Sequence, residues 1–416
     1  MKAKFLTHDQ TRIASYNNDP LITREIAVNI LLELYQTAER VVKDAAAITL
    51  PTLLFISGSD YVVNSKPQHQ FYQQLTSPIK ERYVMEDFYH DTLGEKHRHL
   101  AFDKIRTFIE RIFSIPRYQH DYSHEDIWSN TADEFRSLVT PLPRFSPKNF
   151  IYQLMRKAIN THVGRASEGI RIGLETGFDS GSTLDYAYRN QPQGKGLLGR
   201  VLDKYYLSNI GWRGIRQRKI HLETLIRHAI CNLHKQNMPV HIVDIAAGHG
   251  RYIFDAINEF SKVDSILLKD YSELNVTQGQ AYIAERHLTD KIKFIIGNAF
   301  DAESIAATTP APTLGIVSGL YELFPDNDLV RDSLRGLADA ITENGYLIYT
   351  GQPWHPQLEV IARVLSSHRK NQPWIMRRRT QGEMDALVEK AGFEKLYQLT
   401  DNWGIFSVSI ARRLHR

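Results

Sequence analysis

The stretch that most constrains this chain is Val240-His241-Ile242-Val243-Asp244-Ile245-Ala246-Ala247-Gly248-His249-Gly250-Arg251-Tyr252. It reads as a buried strand, a tight glycine turn and the start of a helix. A strand entering such a turn aims backbone N–H groups and the positive end of the helix at a ligand. Gly248 and Gly250 let that ligand approach the backbone with no side chain in the way. A second apolar run, Ser265-Ile266-Leu267-Leu268-Lys269-Asp270, ends in an acid. An acid at the tip of the second strand is placed to accept hydrogen bonds from both hydroxyls of a ribose. The arrangement predicts a site for a nucleoside cofactor.

The dinucleotide fingerprint G-x-G-x-x-G/A would need a small residue where this chain has Ile253. That disfavours NAD and FAD, whose pyrophosphate needs the helix packed close. The pattern D-x-A-x-G-x-G, from Asp244 to Gly250, instead resembles motif I of the class I S-adenosylmethionine (SAM) methyltransferases. Ala246 stands where that family usually has its first glycine. The resemblance implies SAM as cofactor. It also implies a binding set of Asp244, Ala246, Gly248 and Gly250 at the turn and Asp270 and Tyr271 after strand two. Asn298 and Ala299 come after strand three and Ser318 after strand four. Asn298 stands where many class I enzymes have an acid against the adenine amino group, and its carbonyl oxygen can accept the same bond.

The elements after Asp270 fit that reading. A helix from Ser272 to Arg286 precedes strand three (Lys291 to Gly297). Strand four is Leu314 to Ser318, the helix Asn327 to Thr342 comes next, and strand five is Tyr346 to Thr350. Alternating strands and helices imply a parallel sheet covered on both faces. The final runs, Phe393 to Thr400 and Ile405 to Ala411, are joined only by a short turn, so they must be antiparallel. The expected fold class is α/β: a Rossmann-like seven-stranded class I methyltransferase sheet with an antiparallel last strand, preceded by a partial α/β-hydrolase domain.

In such sheets the substrate side is built from the loops after strands four and five. Candidates there are Ser318, Tyr321 and Glu322, then Gln352, Trp354 and His355. Methyl transfer mainly requires alignment of nucleophile and leaving group. If the nucleophile is a hydroxyl, His355 or Glu322 is a candidate general base. No Asn/Asp-Pro-Pro-Tyr motif occurs after strand four, which argues against amino methylation of nucleic acid. The basic run Arg369 to Arg379 reads either as a solvated loop or as a binder of an acidic head group. The histidines show no ligand spacing with acids or cysteine, so no metal is proposed.

The N-terminal third has a different pattern. Apolar residues at helical spacing (Ile26, Ile30, Leu31, Leu34, Ala38, Val41) lie between Ile22 and Lys43. A buried strand, Ile48 to Ile56, then ends in Ser57-Gly58-Ser59-Asp60. A helix (Ser65 to Leu75), a strand (Lys80 to Met85), the turn holding His90, and an amphipathic helix (Phe102 to Phe113) complete it. This resembles the C-terminal half of an α/β-hydrolase of the serine aminopeptidase or monoglyceride lipase type. Asp60 and His90 match the acid and histidine of that family's triad. No G-x-S-x-G nucleophile motif occurs in the chain. The chain is therefore expected to begin inside a hydrolase domain, with Asp60 and His90 as remnants. Half of such a sheet leaves an open edge and an uncovered apolar face, so this third is expected to be marginally stable or packed against something else.

Between the two, the proline- and turn-rich residues 115–149 read as linker, and residues 150–238 as a helical N-terminal extension of the methyltransferase core at 239–416. Within the extension, Gly211-Trp212-Arg213-Gly214-Ile215-Arg216 suggests Arg213 or Arg216 meeting the cofactor carboxylate or an acidic substrate. The alternative is a helix start with Trp212 as a packing anchor. Residues 119–238 resemble the N-terminal extension of a bacterial family in which an α/β-hydrolase precedes a methyltransferase on one chain.

A net charge of +4 is too mild to imply nucleic acid as a partner. The single cysteine, Cys231, fits a reducing compartment, and no apolar run approaches the length of a membrane span. A cytoplasmic enzyme is expected. Its acceptor would be a small molecule, lipid-like or acidic, and peripheral membrane contact stays compatible with it. The other readings are a hydrolase whose nucleophile comes from another polypeptide and a non-catalytic SAM-binding module. Oligomeric state is not legible.

Overall fold

The structure is a computed structural model that describes residues 2–23, 25–114, 121–257, 260–369 and 372–415. The chain divides into two compact units, Met1–His120 and Asp121–Arg416.

The larger unit is built on a seven-stranded sheet. Its strands are β3 (His241–Asp244), β4 (Ser265–Asp270), β5 (Ile292–Ile296), β6 (Leu314–Val317), β7 (Tyr346–Gly351), β8 (Phe393–Thr400) and β9 (Ser407–Arg413). They lie in the order β5-β4-β3-β6-β7-β9-β8. β5 through β7 are mutually parallel, while β9 runs antiparallel to both β7 and β8. The chain leaves β3 toward β4 on one side and returns to β6 on the other. That reversal of direction opens a crevice beyond the carboxyl ends of β3 and β6.

Apolar side chains of each strand alternate between two cores, as in a sheet covered on both faces. Ile242, Ile316 and Ile348 pack with Leu222, Ile226 and Leu233 of the long helix Ile210–Lys235. Val243, Val317 and Leu347 pack on the other face with Leu334 and Leu337 of the helix Asn327–Ala340 and Leu387 of Gln381–Lys390. A third cluster sits apart from these two. It joins Phe178, Trp212, Trp374, Ile405 and Phe406 to Leu138 and Ile361. Ile405 and Phe406 precede β9 instead of opening it, so the last strand starts later than the sequence pattern suggested.

One expectation about this unit is corrected. Residues 121–149 are not a plain linker: they form the 3-10 turn Tyr122–His124, the helix Asn130–Val139 and the start of Pro147–Asn160, all within the larger unit. The prolines mark the ends of these helices. Residues 115–120, with Pro116, lie outside the described residues. The glycine-rich segment after Ser167 is two helices, Glu168–Thr176 and Gly181–Arg189, broken between them. The helix after the glycine turn is short, Arg251–Ala256, which limits what its dipole can contribute.

The smaller unit carries a two-stranded parallel sheet, β1 (Thr52–Ser57) with β2 (Lys80–Met85). Its core is small: Met85, Phe88 and Ala101, with Phe55 and Tyr83 packed against them. The helix Val28–Lys43 begins after Ile26 and has no buried residue; Val28, Ile30, Leu34 and Tyr35 are all exposed. Among the described residues, no helix is long and apolar enough to cross a membrane.

Candidate functional site

The glycine turn links β3 to the helix Arg251–Ala256. Both glycines sit in the left-handed region, Gly248 at φ +57° and Gly250 at φ +65°. They face different surroundings. A Cβ on Gly250 would lie 3.0 Å from Leu268 Cδ1 and 3.3 Å from Phe254 Cε2, inside the core. A Cβ on Gly248 would meet only Gly181 Cα, at 3.8 Å. The open side of the turn is therefore at Gly248, with the helix Gly181–Arg189 beginning across from it.

Asp270, at the end of β4, is buried beside this opening. One carboxylate oxygen accepts from the Gly248 N–H at 2.8 Å. The other accepts from Ser272 N at 2.8 Å and Asn275 Nδ2 at 3.0 Å. The acid is fixed in place, and the oxygen bonded to Gly248 retains a lone pair for a ligand hydroxyl. Asp244 is wholly buried beneath the turn, where it accepts from the Tyr252 hydroxyl and from Ala246 N. Burial pushes its carboxyl up to about 7. Asp244 thus holds the turn from below and is not on its open side. Ala246 is half-buried in the turn and Ser318, just past β6, is buried. Tyr271 is exposed. Asn298 is also exposed, its side-chain oxygen accepting from Phe300 N at 3.0 Å, and Ala299 beneath it is buried. His249 Nε2 is buried without a hydrogen-bond partner, and the neighbouring Arg251 pairs with Asp185 of the extension.

A cavity of about 430 Å³ lies beyond the ends of β6 and β7. That volume falls in the range of small-molecule sites. Its wall is mainly apolar and aromatic: Phe178, Tyr206, Trp212, Trp374 and Phe406 contribute rings. Several polar groups interrupt it. Arg218, fully buried, reaches Glu322 at 3.4 Å and lies over the Phe406 ring at 4.8 Å. Its guanidinium fills the space beside Gly319, where a Cβ would be 3.1 Å from Nη2. Gln352 and His355 line the same cavity. The Gln357 N–H donates to His355 Nδ1 at 3.1 Å, and burial lowers the imidazole to about 4. The ring is therefore neutral near pH 7, with its proton on Nε2.

The structure separates the sequence candidates. Glu322 and His355 both line the cavity. Tyr321 does not: its hydroxyl pairs with Ser333 at 2.9 Å within the core, and burial raises it further from ionisation. Arg216 is bonded within the extension. It donates to the carbonyls of Leu207 (2.9 Å) and Ala187 (3.4 Å), tying helix ends together. Arg213 stacks on Trp403 at 4.6 Å, and Trp212 is a buried anchor. The last three arginines of the basic run are not part of a solvated loop. Arg377, Arg378 and Arg379 are buried, and Arg377 donates to both oxygens of Glu383 at 2.8 and 3.1 Å. Arg379 donates to Asn327 Oδ1 at 2.8 Å, and Arg378 pairs with Glu134. Lys370 and Asn371 lie outside the described residues.

Sequence reasoning missed Arg218, Trp374 and Phe178. A signal for Arg218 was present: Gly211, Gly214, Ile215, Arg218, Leu222 and Leu225 recur at helical spacing. One face of a helix that carries small residues, then an arginine, then leucines places that arginine at the edge of a core. Trp374 and Phe178 come from loops and carried no periodic signal. Among the described residues, no group of three or more His, Cys, Asp or Glu is placed to hold a metal ion.

In the smaller unit, His90 Nδ1 lies 3.0 Å from Asp60 Oδ2. Asp60 Oδ1 accepts from Val62 N (2.7 Å) and Val63 N (3.1 Å). Burial works against the charged carboxylate, but these bonds from His90 and the two backbone groups prevail and lower its pKa. The two side chains thus form an oriented acid–imidazole pair.

Comparison with known proteins divides the chain in the same way. The sequence model of the family described as "Putative methyltransferase" matches residues 105–413, and that described as "Serine aminopeptidase, S33" matches residues 1–97. The chain is 57% identical over 414 residues to the "Uncharacterized protein YnbC" of Escherichia coli (strain K12), a match covering 99% of this chain and 70% of that protein. Among solved structures it is similar to a possible exported protein of Bordetella parapertussis, at 16% identity and TM-score 0.49, over 68% of this chain and 97% of the other. It is also similar to magnesium protoporphyrin IX methyltransferase of Synechocystis PCC 6803 with bound SAH, at 13% identity and TM-score 0.39, over 58% of this chain and 98% of the other.

Proposed function

This chain belongs to the methyltransferase family matched over residues 105–413, and from that premise we propose that it transfers a methyl group from SAM to a small-molecule acceptor. The observation that carries the proposal is the open side of Gly248 beside the fixed carboxylate of Asp270. A nucleoside can approach the backbone there without displacing a side chain. The cofactor supplies an electrophilic methyl carbon on a sulfonium. The rest of the task belongs to the chain's own groups. Asp270 orients ribose hydroxyls, flanked by Tyr271. Asn298 and Ala299 border the base, and Ser318 lies toward the acceptor. Asp244, Ala246 and Gly250 shape the turn instead of touching the ligand. The extension, proposed at 150–238 ahead of a core at 239–416, caps the turn through Gly181 and Asp185 and walls the acceptor cavity. Together these exclude water and align the reacting atoms. A reducing, cytoplasmic setting completes the proposal, supported by the single cysteine.

Calorimetric titration of SAM into the full chain tests this reading. Binding is expected, and Asp270→Ala should weaken it at least tenfold, about 1.4 kcal/mol. A folded wild type that fails to bind SAM refutes it.

The Asp60–His90 pair supports a second reading, an acid–histidine relay whose serine comes from another polypeptide. A fluorophosphonate probe should leave this chain unlabelled when it is alone. Labelling of the isolated chain would contradict the borrowed-serine reading.

A further inference from the structure

The cavity beyond β6 and β7 has an unusual balance of polar groups. Three nitrogens and one hydroxyl on its lining residues are buried without hydrogen-bond partners: Arg218 Nε, Gln352 Nε2, Trp374 Nε1 and Tyr206 Oη. A further donor is His355 Nε2, since the ring's other nitrogen accepts from Gln357 N. That Nε2 faces the start of the long helix, where a Cβ on Gly211 would lie 3.1 Å from it. The two carboxylates of the lining are already engaged. Glu322 pairs with Arg218, and Asp179 accepts from Ser367 Oγ and His368 N, each at 2.6 Å. The chamber is thus apolar in its wall and holds several unspent donors; the unpaired Tyr206 hydroxyl can also accept.

Buried donors left unpaired lose the hydrogen bonds that water gave them and gain none in return. A ligand that brings acceptor atoms restores those bonds, whereas one that brings only donors cannot. The same census bears on the chemistry. Methylating a neutral hydroxyl requires a base to take its proton. The imidazole carries its proton on Nε2 and its Nδ1 already accepts from Gln357 N, and both carboxylates are paired. An acceptor already ionised near pH 7 needs no base.

Resting on the methyltransferase reading, we propose that the cavity receives an apolar, ring-bearing or long-chain carboxylic acid and that its carboxylate is methylated to the methyl ester. One carboxylate oxygen forms the new bond to the methyl carbon as the methyl–sulfur bond of SAM breaks. The electron pair of that bond passes to sulfur, which becomes a neutral thioether, and no proton moves. Gln352, Trp374 and His355 hold the carboxylate by its oxygens. Arg218 balances the negative charge, while Phe178 and Trp212 hold the apolar body.

The test compares 2-naphthoate with 2-naphthylmethanol, which has a similar shape but a neutral hydroxyl. Each is titrated calorimetrically into the full chain without SAM, and SAM is titrated separately. Naphthoate is expected to bind at least tenfold tighter than the alcohol, and Gln352→Leu should reduce that preference to below threefold. Trp374→Phe, which removes one donor and keeps a ring, is the second variant should Gln352→Leu not fold. Equal or tighter binding of the alcohol overturns the proposal, as does a preference that survives both variants. With SAM present, mass spectrometry is expected to find methyl 2-naphthoate; formation of the alcohol's methyl ether in preference also overturns it. If SAM binds and naphthoate shows no preference, the acceptor assignment falls alone. If SAM does not bind, the methyltransferase reading falls and takes this assignment with it, whatever the naphthoate titration shows.

Discussion

The two glycines of the turn share a backbone conformation but not a neighbourhood, so their alanine variants should fail in different ways. Either substitution puts an L-residue in the left-handed region, which costs about 1–2 kcal/mol. Either also narrows the unfolded ensemble, which returns about 0.4–1 kcal/mol. For Gly248→Ala little else changes in the protein, because the new methyl meets only Gly181 Cα at 3.8 Å. Its net effect on stability should stay near 1 kcal/mol. Gly250→Ala puts its methyl 3.0 Å from Leu268 Cδ1 and 3.3 Å from Phe254 Cε2, side chains that must shift within a packed core to admit it. Overpacking of that kind adds about 1–3 kcal/mol. Gly250→Ala should therefore be the less stable of the two by about 1–3 kcal/mol in urea unfolding, a difference from which the backbone terms cancel. Ligand binding should rank them the other way. The Gly248 methyl stands where the ligand approaches, so SAM affinity should fall at least tenfold in Gly248→Ala and less in folded Gly250→Ala. Equal destabilisation of the two variants, or unchanged SAM affinity in Gly248→Ala, would refute the reasoning.

Two buried titratable groups give opposed pH dependences. Asp244 is raised from 3.8 to about 7 by burial, so between those values the native state holds a proton that the unfolded state has released. Its contribution to stability is lost as pH rises through that window, on the order of 4 kcal/mol in all. Asp244→Asn should remove this slope, read as urea midpoints compared with wild type at several pH values. His355 is lowered from 6.5 to about 4. The unfolded state takes up the proton first as pH falls, so stability should drop between about 6.5 and 4 by on the order of 3 kcal/mol. In His355→Gln the drop should flatten; persistence of the full slope would show that other groups carry it. Arg377→Met leaves Glu383 buried without its main partner and should cost about 3–5 kcal/mol in the unfolding of the larger unit. A loss below 1 kcal/mol would contradict the pairing.

The sheet was readable because parallel strands buried on both faces are nearly all apolar, and those runs alternate with helical periodicity. The antiparallel ending came from the short connection at Asp401 to Gly404. What could not be read depends on the direction of single side chains. Tyr321 and Glu322 are adjacent in a 3-10 turn, and one points into the core while the other lines the cavity. No periodicity decides between them. The charges at Arg377 to Arg379 look like surface, since burial of guanidinium groups depends on partners distant in sequence. Their partners include Glu134 and Asn327. The prolines near residue 141 signalled turns correctly, but a helix lies before them and its packing partner, Ile361, is far along the chain. The exposed face of Val28–Lys43 was visible as an apolar stripe; its lack of cover was foreshadowed only by the incomplete hydrolase pattern.

The arginine cluster also determines where this chain can be divided. Arg377 donates to Thr131 at 3.3 Å, Asn327 donates to the carbonyl of Ser123 at 3.0 Å, and Lys390 pairs with Asp121 at 2.6 Å. A segment that resembles a spacer is thus stitched to the far end of the polypeptide. Recombination or truncation that joins a new partner at residue 150 would discard these stitches and expose buried guanidinium groups. A junction placed ahead of Asp121 keeps them. As a portable module, the methyl-transferring part of the chain starts some thirty residues earlier than its sequence pattern advertises.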